Sequence, residues 1–335
     1  MTARARTWAG MSIGLAVVLA GCGVLSPPRS TPGGQGAPAS SAAPKPTPAP
    51  TPYNISSLLD PTSGKFLGLE TVGAPDSLGP LNSFSMNTGR KPNLVGQYVS
   101  WGKPFDSQAA SNAWSYGALY YMAWEPFSPS VEAIAQGQSD SYITAFAKAV
   151  RALNVPIALS FGHEMNGNWY PWGSAQTTAA QFVAAWRHIH RLFTQAGATN
   201  VIWVWNPNII NPVPQVPLRP YWPGRKYVDW VGVTGYFSTT GPHTYAGLFE
   251  PTIDQITAFT SKPLIIAETA IETGPDEAES AANLVSSVTQ NPHMLGFIYF
   301  DYNKGGVDWQ IESRPQVRAA IAGDIAHLPL LNPKK

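Results

Sequence analysis

The stretch that decides the fold reads Pro156-Ile157-Ala158-Leu159-Ser160-Phe161-Gly162-His163-Glu164. It is short, almost uncharged, and rich in apolar residues, which favours a strand that is buried on both faces. Because side chains alternate along a strand, Glu164 shares a face with the small residues Ala158, Ser160 and Gly162. We therefore expect an inner wall with room for a ligand, and a carboxylate where the strand ends.

Seven further stretches have a similar strand-like character, and helical patterns lie between several of them. The eight predicted strands are Phe66–Glu70, Leu94–Trp101, Ala118–Trp124, Pro156–His163, Val201–Asn206, Trp230–Phe237, Leu264–Glu268 and Gly296–Asp301. This alternation predicts an α/β protein with a (β/α)8 TIM barrel, which typically needs about 250 residues. The rival is a doubly wound open sheet, but the glycine-rich nucleotide loop typical of that fold does not follow the first strand.

The clearest helix is predicted over Thr178–Ala196. Gln181 stands three residues after the threonine, which is the spacing of a capping box, and Gly197 is placed to end the helix. Two further helices are predicted, one beginning near Asp140 and the other over Glu277–Asn291.

A second carboxylate, Glu268, ends the seventh predicted strand. Reacting groups of such barrels lie at the carboxyl ends of the strands, so Glu164 and Glu268 are expected to face each other across the barrel mouth. Glycosidic cleavage needs this pair, because one carboxyl donates a proton while the other attacks or stabilises the anomeric carbon. A separation of about 5–5.5 Å gives retention and one of about 6.5–9.5 Å gives inversion.

The composition argues against nucleic-acid binding and favours an uncharged substrate. The chain has 335 residues, a formal net charge of +1 and only 12% charged residues. It therefore lacks the excess of basic residues that is typical of nucleic-acid-binding proteins. Its 12 Trp and 13 Tyr suit an uncharged substrate with flat apolar faces. His163-Glu164 begins like the zinc motif HExxH, but Gly167 stands where the second histidine would be, so we expect no metal site and no cofactor.

The N-terminal region predicts export. Arg4 and Arg6 precede an apolar run and the sequence Leu19-Ala20-Gly21-Cys22, which resembles a bacterial lipoprotein signal. We expect residues 1–21 to be a signal peptide, Cys22 to be lipidated, residues 22–52 to be a disordered Pro/Ala/Ser-rich tether, and residues 53–335 to form the catalytic domain. The alternative is an ordinary cleaved signal with a chance cysteine. The expected location is the extracellular face of the cell membrane.

The run Gly162–Gly173, GHEMNGNWYPWG, resembles the strand-four signature of glycoside hydrolase family 26, which is best known for β-mannanases. Three other landmarks are similar to those of the family, and the resemblance covers most of the chain from about Phe66 onward. They are Trp124-Glu125-Pro126, Trp205-Asn206-Pro207-Asn208 and Ile266-Ala267-Glu268. The resemblance implies that Glu164 is the acid/base and Glu268 the nucleophile, in agreement with the strand argument.

The resemblance also implies roles for three residues around this pair. His163 would orient the acid/base or the sugar, Trp169 would be a sugar platform, and Tyr236 would hydrogen-bond the nucleophile. The alternatives are a core histidine, a tryptophan that only closes its loop, and a tyrosine that only packs.

Three more residues are expected to contact substrate. Trp124 and Asn208 lie within the landmarks. Family members often carry a Trp near the end of the eighth strand, where this chain reads Phe297-Ile298-Tyr299-Phe300-Asp301, so Tyr299 is expected to take its place.

The sequence therefore predicts a retaining endo-β-glycanase, with β-1,4-mannan as the first candidate substrate. A mixed-linkage β-glucan or a β-1,3-xylan is the alternative within the family. A surface lipoprotein that captures glycans without cutting them is the alternative of another class, although two facing glutamates have no use in a pure binder. We expect a monomer whose partners are the polysaccharide and the membrane.

Overall fold

The structure is a computed structural model that describes residues 51–311 and 314–334. Predictions for the signal peptide, for Cys22 and for residues 22–50 lie outside the described residues. Eight parallel strands close into a barrel in chain order, and the last strand pairs with the first. The strands are β1 Phe66–Thr71, β2 Leu94–Ser100, β3 Leu119–Glu125, β4 Ile157–Phe161, β5 Val201–Trp205, β6 Trp230–Thr234, β7 Leu264–Thr269 and β8 Met294–Asp301. This confirms the predicted (β/α)8 barrel.

Helices follow or precede the strands around the barrel. They are α1 Ser56–Leu59, α2 Gly79–Thr88, α3 Ser107–Tyr116, α4 Val131–Ala135, α5 Asp140–Leu153, α6 Ala179–Ala196, α7 Tyr245–Thr257, α8 Glu277–Gln290 and α9 Pro315–Ala326. A short hairpin, β9 Asn303–Lys304 and β10 Val307–Asp308, follows β8. None of the helices within the described residues is both long and apolar enough to cross a bilayer.

Helix α6 begins and ends as its sequence predicts. The Thr178 hydroxyl accepts from the Gln181 backbone N–H at 3.3 Å, and the Gln181 side chain accepts from the Thr178 N–H at 2.9 Å. Gly197 then adopts a φ of +73°, which ends the helix in the left-handed region that glycine tolerates. Both ends of the helix are therefore determined locally.

Alternation along each strand divides the buried residues into two core clusters. On β4, Ala158 belongs to the smaller cluster, which the strands contribute to the barrel interior. Its neighbours Ile157, Leu159 and Phe161 belong to the larger cluster, which includes the inner faces of the helices. The predicted orientation of β4 is thus the one observed. The face that carries Ala158 continues to the carboxyl end of the strand, at the barrel mouth.

Candidate active site

Glu164 lies just beyond β4 in an unusual backbone conformation. Its φ is +56°, in the left-handed region that a non-glycine residue rarely adopts. Such a conformation costs about 1–3 kcal/mol and persists where surrounding contacts enforce it. One such contact is visible, because the Glu164 backbone N–H donates to the Asn206 carbonyl after β5 at 2.7 Å. The strain is concentrated at the residue that sequence reasoning singled out for chemistry.

Two side chains hold the Glu164 carboxylate. The Trp169 indole N–H donates to Oε2 at 2.7 Å, and the Asn208 amide donates to Oε1 at 2.5 Å. Asn166 and Asn208 exchange a pair of hydrogen bonds, which ties the loop after β4 to the loop after β5. Gly167 leaves space for the indole, since a Cβ there would lie 2.4 Å from the Trp169 ring.

Glu268 enters the site from β7 and is 8% exposed. The Tyr236 hydroxyl, which follows β6, donates to Oε1 of Glu268 in a short hydrogen bond. This hydrogen bond opposes the effect of burial on the pKa of Glu268. The arrangement stabilises Glu268 in its ionised form.

The two glutamates differ in how readily they lose a proton. Burial raises the pKa of Glu164 to about 8, with the charge of Glu268 as the next cause, while hydrogen bonds from Trp169 and Asn208 lower it. Burial also raises the pKa of Glu268, while the hydrogen bond from Tyr236 and the charge of Lys304 lower it. A pKa of about 8 keeps the proton on Glu164 at neutral pH, as a general acid requires, and the Tyr236 hydrogen bond favours the charged form of Glu268, as a nucleophile requires.

A third carboxyl, Glu70 of β1, belongs to the same cluster and was not predicted. It is fully buried, and the Tyr98 hydroxyl donates to its Oε2 at 3.1 Å. Burial and the charge of Glu268 raise its pKa well above the ordinary value, which favours the neutral form of Glu70. Gly96 on β2 makes room for it, since a Cβ there would lie 2.3 Å from the Glu70 side chain. Glu70 ends the first predicted strand as Glu164 and Glu268 end theirs, and that position was the available signal.

One cation lies close to this acidic cluster. Lys304, on the β9–β10 hairpin, places its ammonium 5.6 Å from the ring centres of Tyr98 and Phe300. Its charge lowers the pKa of Glu164 and of Glu268. No periodic pattern marks this hairpin in the sequence, so the lysine could not be assigned to the site beforehand.

His163 lies directly before Glu164 and is 1% exposed. Its ring contacts those of Tyr98, Tyr170 and Trp172, with centres 5.1–5.8 Å apart. Burial, and then the charge of Lys304, lowers its pKa to about 3, so the imidazole is neutral. The side chain can orient its neighbours but does not add a positive charge.

The structure contradicts the substrate-binding role predicted for Trp124. This residue is fully buried and lies on the outward face of β3, because Ala123 before it belongs to the interior cluster. Its ring stacks on Phe146 of α5 at 4.5 Å and on Trp101 at 4.3 Å. Trp124 therefore packs the layer between barrel and helices.

Tyr299 does not take the position expected for a ring at the end of the eighth strand. Ile298 belongs to the interior cluster, so alternation directs Tyr299 outward and Phe300 inward. The Phe300 ring lies 5.7 Å from that of Tyr236 and 6.3 Å from that of Tyr98, both of which contact the carboxyl cluster. Phe300 is the β8 residue at the site, and it was missed by a shift of one position.

The structure thus gathers Glu164, Glu268, Trp169, Tyr236 and Asn208, with His163 beside them. In the part of the chain that the structure describes, no group of three His, Cys, Asp or Glu side chains is arranged to hold a metal ion. The chemistry that the arrangement offers is proton transfer by one carboxyl and nucleophilic attack by another.

Comparison with known proteins identifies one family. The sequence model of glycosyl hydrolase family 26 matches residues 129–315, a range that contains both glutamates. Endoglucanase H from Acetivibrio thermocellus is 33% identical over 264 residues, which are 74% of this chain and 29% of that protein. Mannan endo-1,4-beta-mannosidase A and B from Caldalkalibacillus mannanilyticus is 30% identical over 148 residues, which are 41% of this chain and 26% of that protein. The chain spans less than a third of the length of these two relatives.

Solved structures share the fold at lower identity. The modular endo-beta-1,4-mannanase from Cellulomonas fimi superposes with a TM-score of 0.64 at 14% identity, covering 84% of this chain and 75% of that one. The catalytic domain of the GH26 endo-beta-1,4-mannanase from Bacillus sp. JAMB-750 gives 0.63 at 16% identity, covering 84% and 90%. At these identities the likeness concerns the barrel alone.

Proposed function

We propose that this chain, which belongs to glycosyl hydrolase family 26, is a retaining endo-β-glycanase in which Glu164 is the acid/base and Glu268 the nucleophile. The observation that carries the proposal is the unequal pair of carboxyls at the barrel mouth. Glu164 is held protonated by burial and by the charge of Glu268, while Glu268 accepts from Tyr236. A double displacement needs these two protonation states before the substrate arrives.

In the first step, Glu268 attacks the anomeric carbon as Glu164 gives its proton to the departing glycosidic oxygen. Esterification removes the charge of Glu268, and with it one of the causes that raise the pKa of Glu164. The hydrogen bonds from Trp169 and Asn208 then favour the ionised Glu164, which can take a proton from water. That water attacks the anomeric carbon, Glu268 leaves, and the original protonation states return.

Two polysaccharides are the leading candidate substrates, and β-1,3-xylan is a third, supported by more distant β-1,3-xylanases among the relatives. Mannan endo-1,4-beta-mannosidases among the relatives support β-1,4-mannan, which is also what the sequence resemblance favours. A mixed-linkage β-glucan is the second candidate, because the relative that matches three quarters of the chain is named an endoglucanase. The absence of Trp from β8 removes one feature expected of mannanases and is compatible with either sugar.

We expect the enzyme to release reducing sugar from galactomannan or barley β-glucan with a kcat/KM that is about tenfold or more above that for β-1,3-xylan. A few contacts to one sugar hydroxyl produce discrimination of this size. Internal cleavage would lower the viscosity of the polymer well before most of its sugar is released. Tight binding without bond cleavage on every polymer would contradict the proposal and favour a glycan-capturing lipoprotein.

We further propose that the protein is exported and anchored by lipid on Cys22, with residues 22–52 as a tether that holds the barrel away from the membrane. The support is the basic start, the short apolar run and the Leu19-Ala20-Gly21-Cys22 sequence. One acyl chain gives only marginal membrane binding, whereas two or three hold a protein firmly.

Replacing Cys22 with serine is therefore expected to move the full-length protein from the membrane fraction to the soluble fraction of a host that processes lipoproteins. Detergent phase partitioning would measure the shift, with Ser30→Ala in the tether as the matched control. Equal partitioning of wild type and Cys22→Ser into the aqueous phase would refute the lipid anchor. It would not bear on the proposed hydrolase activity.

A further inference from the structure

One aromatic side chain at the barrel mouth is left largely in water. Within the described residues, Val72, Met86 and Phe127 are the exposed large hydrophobic side chains, and Phe127 is the aromatic one, at 50% exposure. A single exposed apolar residue is common and needs no explanation by itself. The surroundings of Phe127 distinguish it from an ordinary surface residue.

Phe127 is held by two other rings. It follows β3 by two residues, so it lies at the same end of the barrel as Glu164. Its ring meets Trp172 edge to face, with centres 5.0 Å apart at 74°, and it meets Tyr170 at 6.2 Å and 77°. Trp172 is fully buried and stacks on Tyr170 at 4.3 Å. The exposed ring therefore has a fixed orientation.

These rings lead directly to the cleavage site. The Tyr170 ring lies 5.1 Å from that of His163, the residue before Glu164. Trp172 donates its indole N–H to the His163 carbonyl at 2.6 Å. Phe127 is thus one ring removed from a side chain at the reacting centre, and its exposed part extends the site outward.

An acidic residue whose carboxyl feels the charges of Lys304 and Glu268 lies two positions before Phe127 in the chain. Glu125 ends β3, is half-buried, and accepts from the Phe127 backbone N–H through its carbonyl at 3.0 Å. Among the described residues, its carboxyl has no hydrogen bond to another side chain. An apolar surface beside a few polar groups is the usual composition of a small-molecule site.

We propose that Phe127, supported by Tyr170 and Trp172, is an aromatic platform for a further sugar unit of the same glycan chain, with the Glu125 carboxyl accepting from a hydroxyl of that sugar. The apolar face of a pyranose ring would cover the exposed part of Phe127. The inference rests on the proposed function, because the ligand is a unit of the polysaccharide that Glu164 and Glu268 cut. It adds a binding site beyond the sugar that is cleaved.

The test compares Phe127→Ala with wild type on substrates of increasing length, from the shortest oligosaccharide that is cleaved to the polymer. We expect kcat/KM for the polymer to fall about three- to tenfold, the size of an aromatic contact. On the shortest oligosaccharide the change should be under about twofold. Phe127→Trp should keep the activity on the polymer, and Met86→Ala on α2 is the matched control for loss of an exposed apolar side chain.

Loss of activity to the same extent on short and long substrates would overturn the platform, since it would indicate a structural role. An unchanged kcat/KM for the polymer in Phe127→Ala would also overturn it. Both outcomes require an active wild-type enzyme. A wild type that cleaves no glycan would instead refute the proposed function, so the two failures are distinguishable.

Discussion

Replacing Glu268 with alanine is expected to lower kcat for polysaccharide hydrolysis by about four to six orders of magnitude, the range seen when a nucleophile that acts with its partners is removed. The variant should fold, because Glu268 lies at the mouth of the barrel and its hydrogen-bond partner Tyr236 is itself partly exposed. KM should change little by comparison. The measurement is the initial rate of reducing-sugar release.

Azide makes this prediction specific to a nucleophile. The space left by the Glu268 side chain admits a small anion, which can attack the anomeric carbon from the same side and give a glycosyl azide of inverted configuration. An activated aryl glycoside is the appropriate substrate for this rescue. Glu272→Ala is the matched control, because that carboxylate lies in the loop just after β7 but accepts from the Thr239 backbone N–H at 2.9 Å. Full activity of Glu268→Ala would refute the assignment.

Replacing Glu164 with alanine is expected to lower kcat/KM for the polysaccharide by about two to four orders of magnitude, the usual contribution of a general acid. Alanine is a cleaner change than glutamine. Trp169 and Asn208 both donate to the carboxylate, and a glutamine amide would oppose one of them. With an aryl glycoside whose leaving group needs no proton, the variant should lose far less of the rate of the first step. The glycosyl-enzyme should then accumulate, because the second step lacks its base.

The pH dependence of kcat/KM reports the protonation state that each glutamate needs for activity. Glu164 is active as an acid while protonated, so wild-type kcat/KM should fall as the pH rises through the pKa of about 8 that burial and Glu268 set. On the acidic side it should fall as Glu268 becomes protonated. Glu164→Ala should lose the alkaline limb and keep the acidic one. Persistence of the alkaline limb in that variant would show that another group donates the proton, and Glu132→Ala on α4 is a control for loss of an exposed glutamate.

Much of the barrel was predictable because its determinants are local. Each strand is a short, mostly apolar stretch, and the capping box and Gly197 fix the ends of α6. Predicted and observed strand bounds differ by at most three residues, and the largest difference is at the end of β6, where the strand runs into its loop at the barrel mouth. Glu164 and Glu268 could be found because each ends a strand.

The rest of the site depends on long-range packing. A shift of one residue along a strand turns a ring from the barrel interior toward the helices. For this reason Trp124 and Tyr299 were misassigned and Phe300 was missed. The positions of Glu70 and Lys304 follow from closure of β8 on β1 and from the hairpin that comes after it. No local pattern in the sequence specifies Lys304, whereas Glu70 ends its predicted strand and could have been found in the same way as Glu268.

The central claim is that Glu164 and Glu268 form one retaining site, and a trapped intermediate tests it most directly. Incubation with a 2-deoxy-2-fluoro glycosyl fluoride of the cleaved sugar slows release of the glycosyl-enzyme, and mass spectrometry of its peptides locates the label. We predict one covalent glycosyl group on Glu268. A label on another residue, or an unlabelled enzyme whose first product has inverted configuration, would contradict the account.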